Sequence, residues 1–117
     1  MTGLADVLRG LAARDGVQGA LLLSGEGLPI ERAGGDAFEP DALAALAATL
    51  AQHAGRLGEG SARGELKGAV LDFAAGPVVL ARAGASDWLA ILARPGADIG
   101  PLLYDLRHHG PALAGLL

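Results

Sequence analysis

The stretch Gly19–Glu31, GALLLSGEGLPIE, runs apolar into Gly25-Glu26-Gly27 and resumes beyond Pro29. Two structures fit such a glycine-broken run: a loop that cradles a phosphate, and a hairpin turn. A dinucleotide-binding turn needs three glycines in the order G-x-G-x-x-G, followed by a helix whose first N–H groups face the pyrophosphate. Ile30 stands where the third glycine belongs, and LPIERAGG is interrupted by Gly34-Gly35 before a helix of useful length can form. The residues therefore spell a hairpin: a strand to Ser24, glycines that accept positive φ, and a short returning strand from Leu28.

Working outward, Leu4, Val7, Leu8 and Leu11 recur at helical spacing with Asp6, Arg9 and Arg14 on the other side, which predicts an amphipathic helix over 2–14 that Asp15-Gly16 ends. The hairpin strands are expected over 17–23 and 28–33. Pro29 cannot donate to a ladder, so the second strand belongs at a sheet edge. A turn at Gly34-Gly35-Asp36 leads to a second helix with Pro40 at its first position, Asp41 in its first turn, Glu39 as a weak cap and Phe38 able to staple onto Leu43. That helix is expected to reach Leu57. After the loop GEGSARGE, strands over 66–74, 77–83 and 88–93 are separated by glycine-containing turns too short for anything but an antiparallel meander. Asp98 and Pro101 open a last helix carrying Leu102, Leu103, Leu106 and Arg107, which Gly110-Pro111 is expected to bend or break. The order is αββαβββα.

ALLL, VVLA and WLAILA are apolar at successive positions. Neighbouring side chains on a strand point to opposite faces, so both faces of this sheet must be covered, and three helices do that only when split between them.

Composition bounds the function. The 117 residues form one domain over 1–117, and 51% hydrophobic residues can build one core. Nine basic against thirteen acidic side chains, a net charge of -4 and 3% aromatic residues leave little for a phosphate backbone or stacked bases, so no nucleic-acid partner is expected. The absence of cysteine removes disulfides, thiolate metal sites and cysteine nucleophiles, and favours an intracellular compartment. Asp6 and Arg9 interrupt any signal-like start, and the charge-free stretch from Ala42 to Gly55 contains Gln52 and His53 and is shorter than the roughly 20 apolar residues of a span. The expectation is a cytoplasmic protein that contacts no membrane.

GVQGALLLSGEGLPIE and the meander ending in GADIGPLLYDLRHH resemble the first hairpin, last strand and C-terminal helix of the roadblock/light-chain-seven family, and the resemblance covers nearly the whole chain. It implies an α/β sandwich with a five-stranded antiparallel sheet in the order 2-1-5-4-3, two helices on one face and the middle helix on the other. It also implies a homodimer, or a heterodimer with a paralogous roadblock protein, that acts as a regulator or scaffold of a Ras-like small GTPase in bacteria, with GTPase activation a candidate activity that the sequence leaves open. The alternative is a structural adaptor like the family's dynein light chains, with no effect on nucleotide hydrolysis.

The residues themselves point to self-association. On the middle helix, Leu43, Leu46, Leu50 and Leu57 form one stripe and Ala44, Ala48, Ala51 and Gly55 a second. The leucine stripe is expected to face the sheet, leaving the small stripe to admit a second helix closely. The third strand, LKGAVLDFA, is longer and freer of proline than the second, which carries Pro29, Glu31 and Arg32, so its open edge invites a second copy. Leu66, Gly68, Val70 and Asp72 then belong to the interface, with Gln52 and Arg56 as contacts for another partner.

Little else suggests chemistry. His108 and His109 are adjacent and point about 100° apart on a helix, unlike an i, i+4 metal pair. His53 is expected to be solvated or interfacial, Trp88 to be core, and Asp72 to be a partly exposed acid with no paired carboxylate or histidine near it in sequence. No enzyme, cofactor or metal site is expected. A small-molecule sensor also uses a five-stranded sheet, but it needs a cavity on one face, and the alanine-rich, two-sided apolar pattern leaves no room for one.

Overall fold

The computed structural model describes residues 3–34 and 38–116, with the backbone alone at 109–114 and 116. Its elements follow the order α1 (Leu4–Ala12), β1 (Val17–Leu23), β2 (Pro29–Gly34), α2 (Pro40–Gly60), β3 (Gly68–Phe73), β4 (Gly76–Ala83), β5 (Asp87–Ala93) and α3 (Ile99–Leu116). The five strands form one antiparallel sheet in the order β2-β1-β5-β4-β3, as expected. Thr2 and residues 35–37, on which part of the first helix and of the expected turn fall, lie outside the described residues.

The opening hairpin closes as its glycines require. The Gly27 N–H donates to the Ser24 carbonyl at 3.0 Å, the Ser24 N–H to the Leu28 carbonyl at 2.8 Å, and the Leu28 N–H to Ser24 Oγ at 3.1 Å. Gly27 has a φ of +94°, a conformation that costs an L-residue on the order of 1–2 kcal/mol. β2 is an edge strand, which suits the missing N–H of Pro29.

Each face of the sheet carries its own core. On one, Leu8 and Leu11 of α1 and Leu102 and Leu106 of α3 pack on Ala20, Leu22, Val79, Leu89 and Ile91. An ion pair from Arg14 to Asp105 ties the end of α1 to α3. On the other face α2 covers Leu21, Leu23, Leu80, Trp88 and Ala90. The apolar runs in β1, β4 and β5 are buried on both sides, which is why they do not alternate.

β3 is shorter than the expected 66–74, α1 ends two residues before Arg14, and two helix ends lie three or more residues beyond expectation. α2 runs to Gly60, three residues past Leu57, and ends with the Ala62 N–H bonded to the Glu59 carbonyl and the Arg63 N–H to that of Gly58. This is a Schellman closure with Ala62 at the left-handed position, φ +59°. α3 continues through Gly110-Pro111 to Leu116 instead of breaking. A proline removes one donor, and the turns on either side can carry the helix past that defect.

The orientation of α2 is the main correction. Ala44, Ala47, Ala48 and Ala51 are buried against the sheet, while Leu46 is 70%, Leu50 36% and Leu57 72% exposed. The expected assignment, leucines inward and Ala44, Ala48 and Ala51 outward toward a partner, is reversed. The reason is volume. The sheet beneath α2 already presents Leu21, Leu23, Leu80 and Trp88, and a helix that seats on large side chains fills the layer with small ones. Leu43 alone of its stripe packs partly against this core.

Candidate functional site: a free strand edge beside a leucine row

β3 is the second edge of the sheet, and among the described residues no strand neighbours its outer backbone groups. Its register matches Val70 to Val79 and Leu71 to Val78. Cross-strand partners share a face. Gly68, Val70 and Asp72 therefore lie on the α1/α3 side, and Ala69, Leu71 and Phe73 on the α2 side. Val70 is 45% and Phe73 57% exposed, so apolar surface flanks the free edge on both faces.

The start of β3 is held firmly. Arg82 of β4 lies with its guanidinium carbon 4.8 Å from the Trp88 ring centroid, donates through Nε to the Leu66 carbonyl at 3.1 Å and through a terminal nitrogen to the Ala85 carbonyl at 2.8 Å. One cation thus joins the entry of β3 to the β4–β5 turn over a buried indole. Leu66 itself packs partly against the α2-side core.

The two flanks of α2 differ. A Cβ built on Gly27 would lie 3.3 Å from Ala45 Cα and 3.4 Å from Ala48 Cβ, so the hairpin tip rests on one flank. At about 100° per residue, exposed Gln52 and Arg56 fall on that hairpin side. Leu46, Leu50 and Leu57 fall about 120–160° around the helix from the sheet-facing Ala44, on the side away from the hairpin, and are exposed. Gly55 lies on the sheet-ward side, half-buried, and among the described residues nothing outside its own turn of helix comes within 4 Å of where its Cβ would stand. The leucine row and the free β3 edge thus present apolar surface on the same face of the protomer.

A hollow of about 420 Å³ opens at the far end of β3, lined by Val70, Asp72, Phe73, Pro77, Ala97 and Ile99. Its walls come from β3, the start of β4, and the loop that leads into α3. Asp72 is exposed there and is the one ionisable group in its lining. His108 stacks on Tyr104 with ring centroids 5.6 Å apart, and the His109 side chain lies outside the described residues. Among the described residues, no three His, Cys, Asp or Glu side chains are grouped as metal ligands would be. No helix among them is long and apolar enough to cross a membrane.

Sequence reasoning found the β3 edge, the protected β2 edge and an exposed Asp72, and the two residues that it offered as partner contacts, Gln52 and Arg56, are exposed. It missed that the leucines would be the exposed row. The available signal was the bulk of the neighbouring strands, ALLL and WLAILA, which leaves space under α2 only for alanine.

Residues 4–93 match the family of the Roadblock/LC7 domain. No curated protein matches the chain. Among solved structures, a Roadblock/LC7 domain from Streptomyces avermitilis superposes with a TM-score of 0.88 at 27% identity, covering 97% of each chain. Myxococcus xanthus MglB superposes with a TM-score of 0.84 at 19% identity, covering 96% of this chain and 92% of that one. A structure described as MglB with tetrameric arrangement gives 0.85 at 21% identity, covering 99% and 92%. With a family match across most of its length, and the sheet order and helix placement that its sequence led one to expect, the chain belongs to the Roadblock/LC7 family.

Proposed function

We propose that this chain is a non-enzymatic, cytoplasmic regulator or scaffold of a Ras-like small GTPase, working as a dimer of two copies or of one copy with a paralogous roadblock protein. Family membership supports the regulatory role, and the fold likeness to MglB is consistent with it. The observation that carries the dimer is the leucine row. Leu46, Leu50 and Leu57 are exposed on the same face as an unpaired, apolar β3 edge, whereas the β2 edge carries Pro29, Glu31 and Arg32.

Antiparallel pairing of two β3 strands would give a ten-stranded sheet, shield Val70, and bring the two leucine rows together on the α2 face. Cross-strand neighbours share a face, so position i of one copy must oppose position j of the other with i + j even. A two-fold axis at Asp72 would oppose like charges, which places it nearer Val70 or Leu71. Leu66, Gly68, Val70 and Asp72 then remain interface positions through the strand. The helix contributes its leucines in place of Ala44, Ala48 and Ala51. Gln52 and Arg56, on the other flank of α2, stay free in such a dimer and are the contacts assigned to the GTPase.

Titrating the protein with Ras-like GTPases in the GDP-bound and GTP-bound states, and reading both binding and hydrolysis, tests this function. Nucleotide-dependent binding that Arg56→Glu weakens supports it. Binding with no change in turnover in either state favours the adaptor reading, and absence of binding to any such GTPase contradicts the regulatory one.

A further inference from the structure

The leucine row of α2, half-buried at Leu43 and exposed from Leu46 onward, has a coiled-coil period. Leu43, Leu46, Leu50, His53 and Leu57 are spaced three, four, three and four residues apart, the a/d spacing at which one helix packs along another. Four of the five are leucine, and the fifth is His53, which is exposed and stands between Leu50 and Leu57. A single polar residue in such a seam lowers affinity and sets which partner and register it accepts. Histidine adds a dependence on protons, because it changes charge within the physiological range.

We propose that His53 makes self-association pH-dependent: the α2 seam admits the neutral imidazole and expels the imidazolium. This rests on the dimer proposed above. With the row centred on Leu50, a two-fold contact sets His53 among leucines of the second copy, where a charged ring would lose water without gaining an acceptor. The charges around it do not compensate. Arg56 is one turn further on and about 60° around the helix, and it brings a second positive group and no acceptor to that side. The other charged residues of α2, Asp41 and Glu59, lie about 120° away around the helix, and Asp41 is three turns distant. On β3 the α2-side residues are Ala69, Leu71 and Phe73, Lys67 at its entry adds a further positive charge, and Asp72 lies on the opposite face. No carboxylate of α2 or β3 is placed to hold an imidazolium in the seam.

The sign follows. Association selects the unprotonated ring and releases protons, so affinity is full above the range in which histidine titrates and falls as the pH drops through it. Each dimer contains two such rings. Sedimentation equilibrium on the full chain between about pH 7.5 and 5.5 should show the dissociation constant rising by about tenfold or more. His53→Gln, polar but without a proton to take up, should flatten the dependence. His53→Leu should flatten it and tighten the dimer, and His108→Gln should leave it unchanged. Circular dichroism on each variant confirms that the protomer is folded. A wild type that is monomeric at every pH removes the dimer reading and this proposal with it. A dimer whose affinity is flat in pH, or whose pH dependence survives in His53→Gln, overturns the role of His53 and leaves the dimer standing.

Discussion

The Cβ that Gly27 lacks would stand 3.4 Å from the Cβ of Ala48, which places the tip of the first hairpin against one flank of the middle helix, beside its sheet-ward face. That contact explains both partners. A larger residue at either position would push the helix off the hairpin, and the alanine that fits there leaves the leucines no place but outside.

Gly27→Val should destabilise the protein by about 2 kcal/mol or more, since it combines a φ of +94° with a Cβ 3.3 Å from Ala45 Cα. Gly25→Val should also be costly, because its Cβ would strike the Ser86 carbonyl oxygen. Glu26→Ala, exposed at the tip, should change stability by less than about 0.5 kcal/mol. Urea unfolding followed by Trp88 fluorescence measures all three.

Ala48→Arg and Leu46→Arg should fail differently. Ala48 is 5% exposed within its own protomer, so arginine there should cost several kcal/mol and unfold the chain or expand its core. Leu46 is 70% exposed, so Leu46→Arg should keep the far-ultraviolet dichroism and near-native protomer packing while weakening self-association. Two-dimensional NMR spectra together with light scattering separate the outcomes. A folded Ala48→Arg monomer would contradict the alanine-inward orientation.

Ala62→Gly should raise stability by about 0.5–1 kcal/mol. Ala62 occupies the left-handed position that closes α2 with a φ of +59°, where glycine carries no Cβ penalty, and its side chain is exposed. The midpoint of urea denaturation should rise with an unchanged slope.

Arg82→Met keeps much of the aliphatic stem and removes the charge over Trp88 together with the bonds to the Leu66 and Ala85 carbonyls. The expected cost is about 2 kcal/mol, with a shift in Trp88 emission. Because Leu66 leads into β3, hydrogen exchange should quicken at the start of that strand before it does in β1 or β5.

The fold was legible where the chain has few choices. Pro29 marked one edge, the turn glycines set the hairpin and the meander, and the unalternating runs in β1, β4 and β5 required helices on both faces. What escaped was relative volume. Hydrophobicity ranks leucine above alanine, so periodicity alone turns Leu46 and Leu57 inward. Only the pairing of α2 with Leu21, Leu23, Leu80 and Trp88 shows that the buried layer on that side has room for methyl groups. The same mistake moved the expected helix contact onto Ala44, Ala48 and Ala51, whereas Val70 is exposed on an edge strand, as the sequence led one to expect. The Schellman closure at Ala62 carried no sequence signal, because alanine is not the residue that this geometry usually selects.

A single-cysteine scan along β3 tests the central claim, that two copies join edge to edge, most directly. The chain has no cysteine of its own, so each introduced thiol reports only its own position. Residues directly opposed across an antiparallel pair have Cβ atoms about 4.5–5.5 Å apart, close enough to bridge on mild oxidation. Of Ala69→Cys, Val70→Cys, Leu71→Cys and Asp72→Cys, the variant on the two-fold axis, expected at position 70 or 71, should convert rapidly to a disulfide-linked dimer, while Arg32→Cys on the β2 edge should remain a free thiol. Cross-linking at no β3 position, or at Arg32→Cys as fast as on β3, would contradict the account.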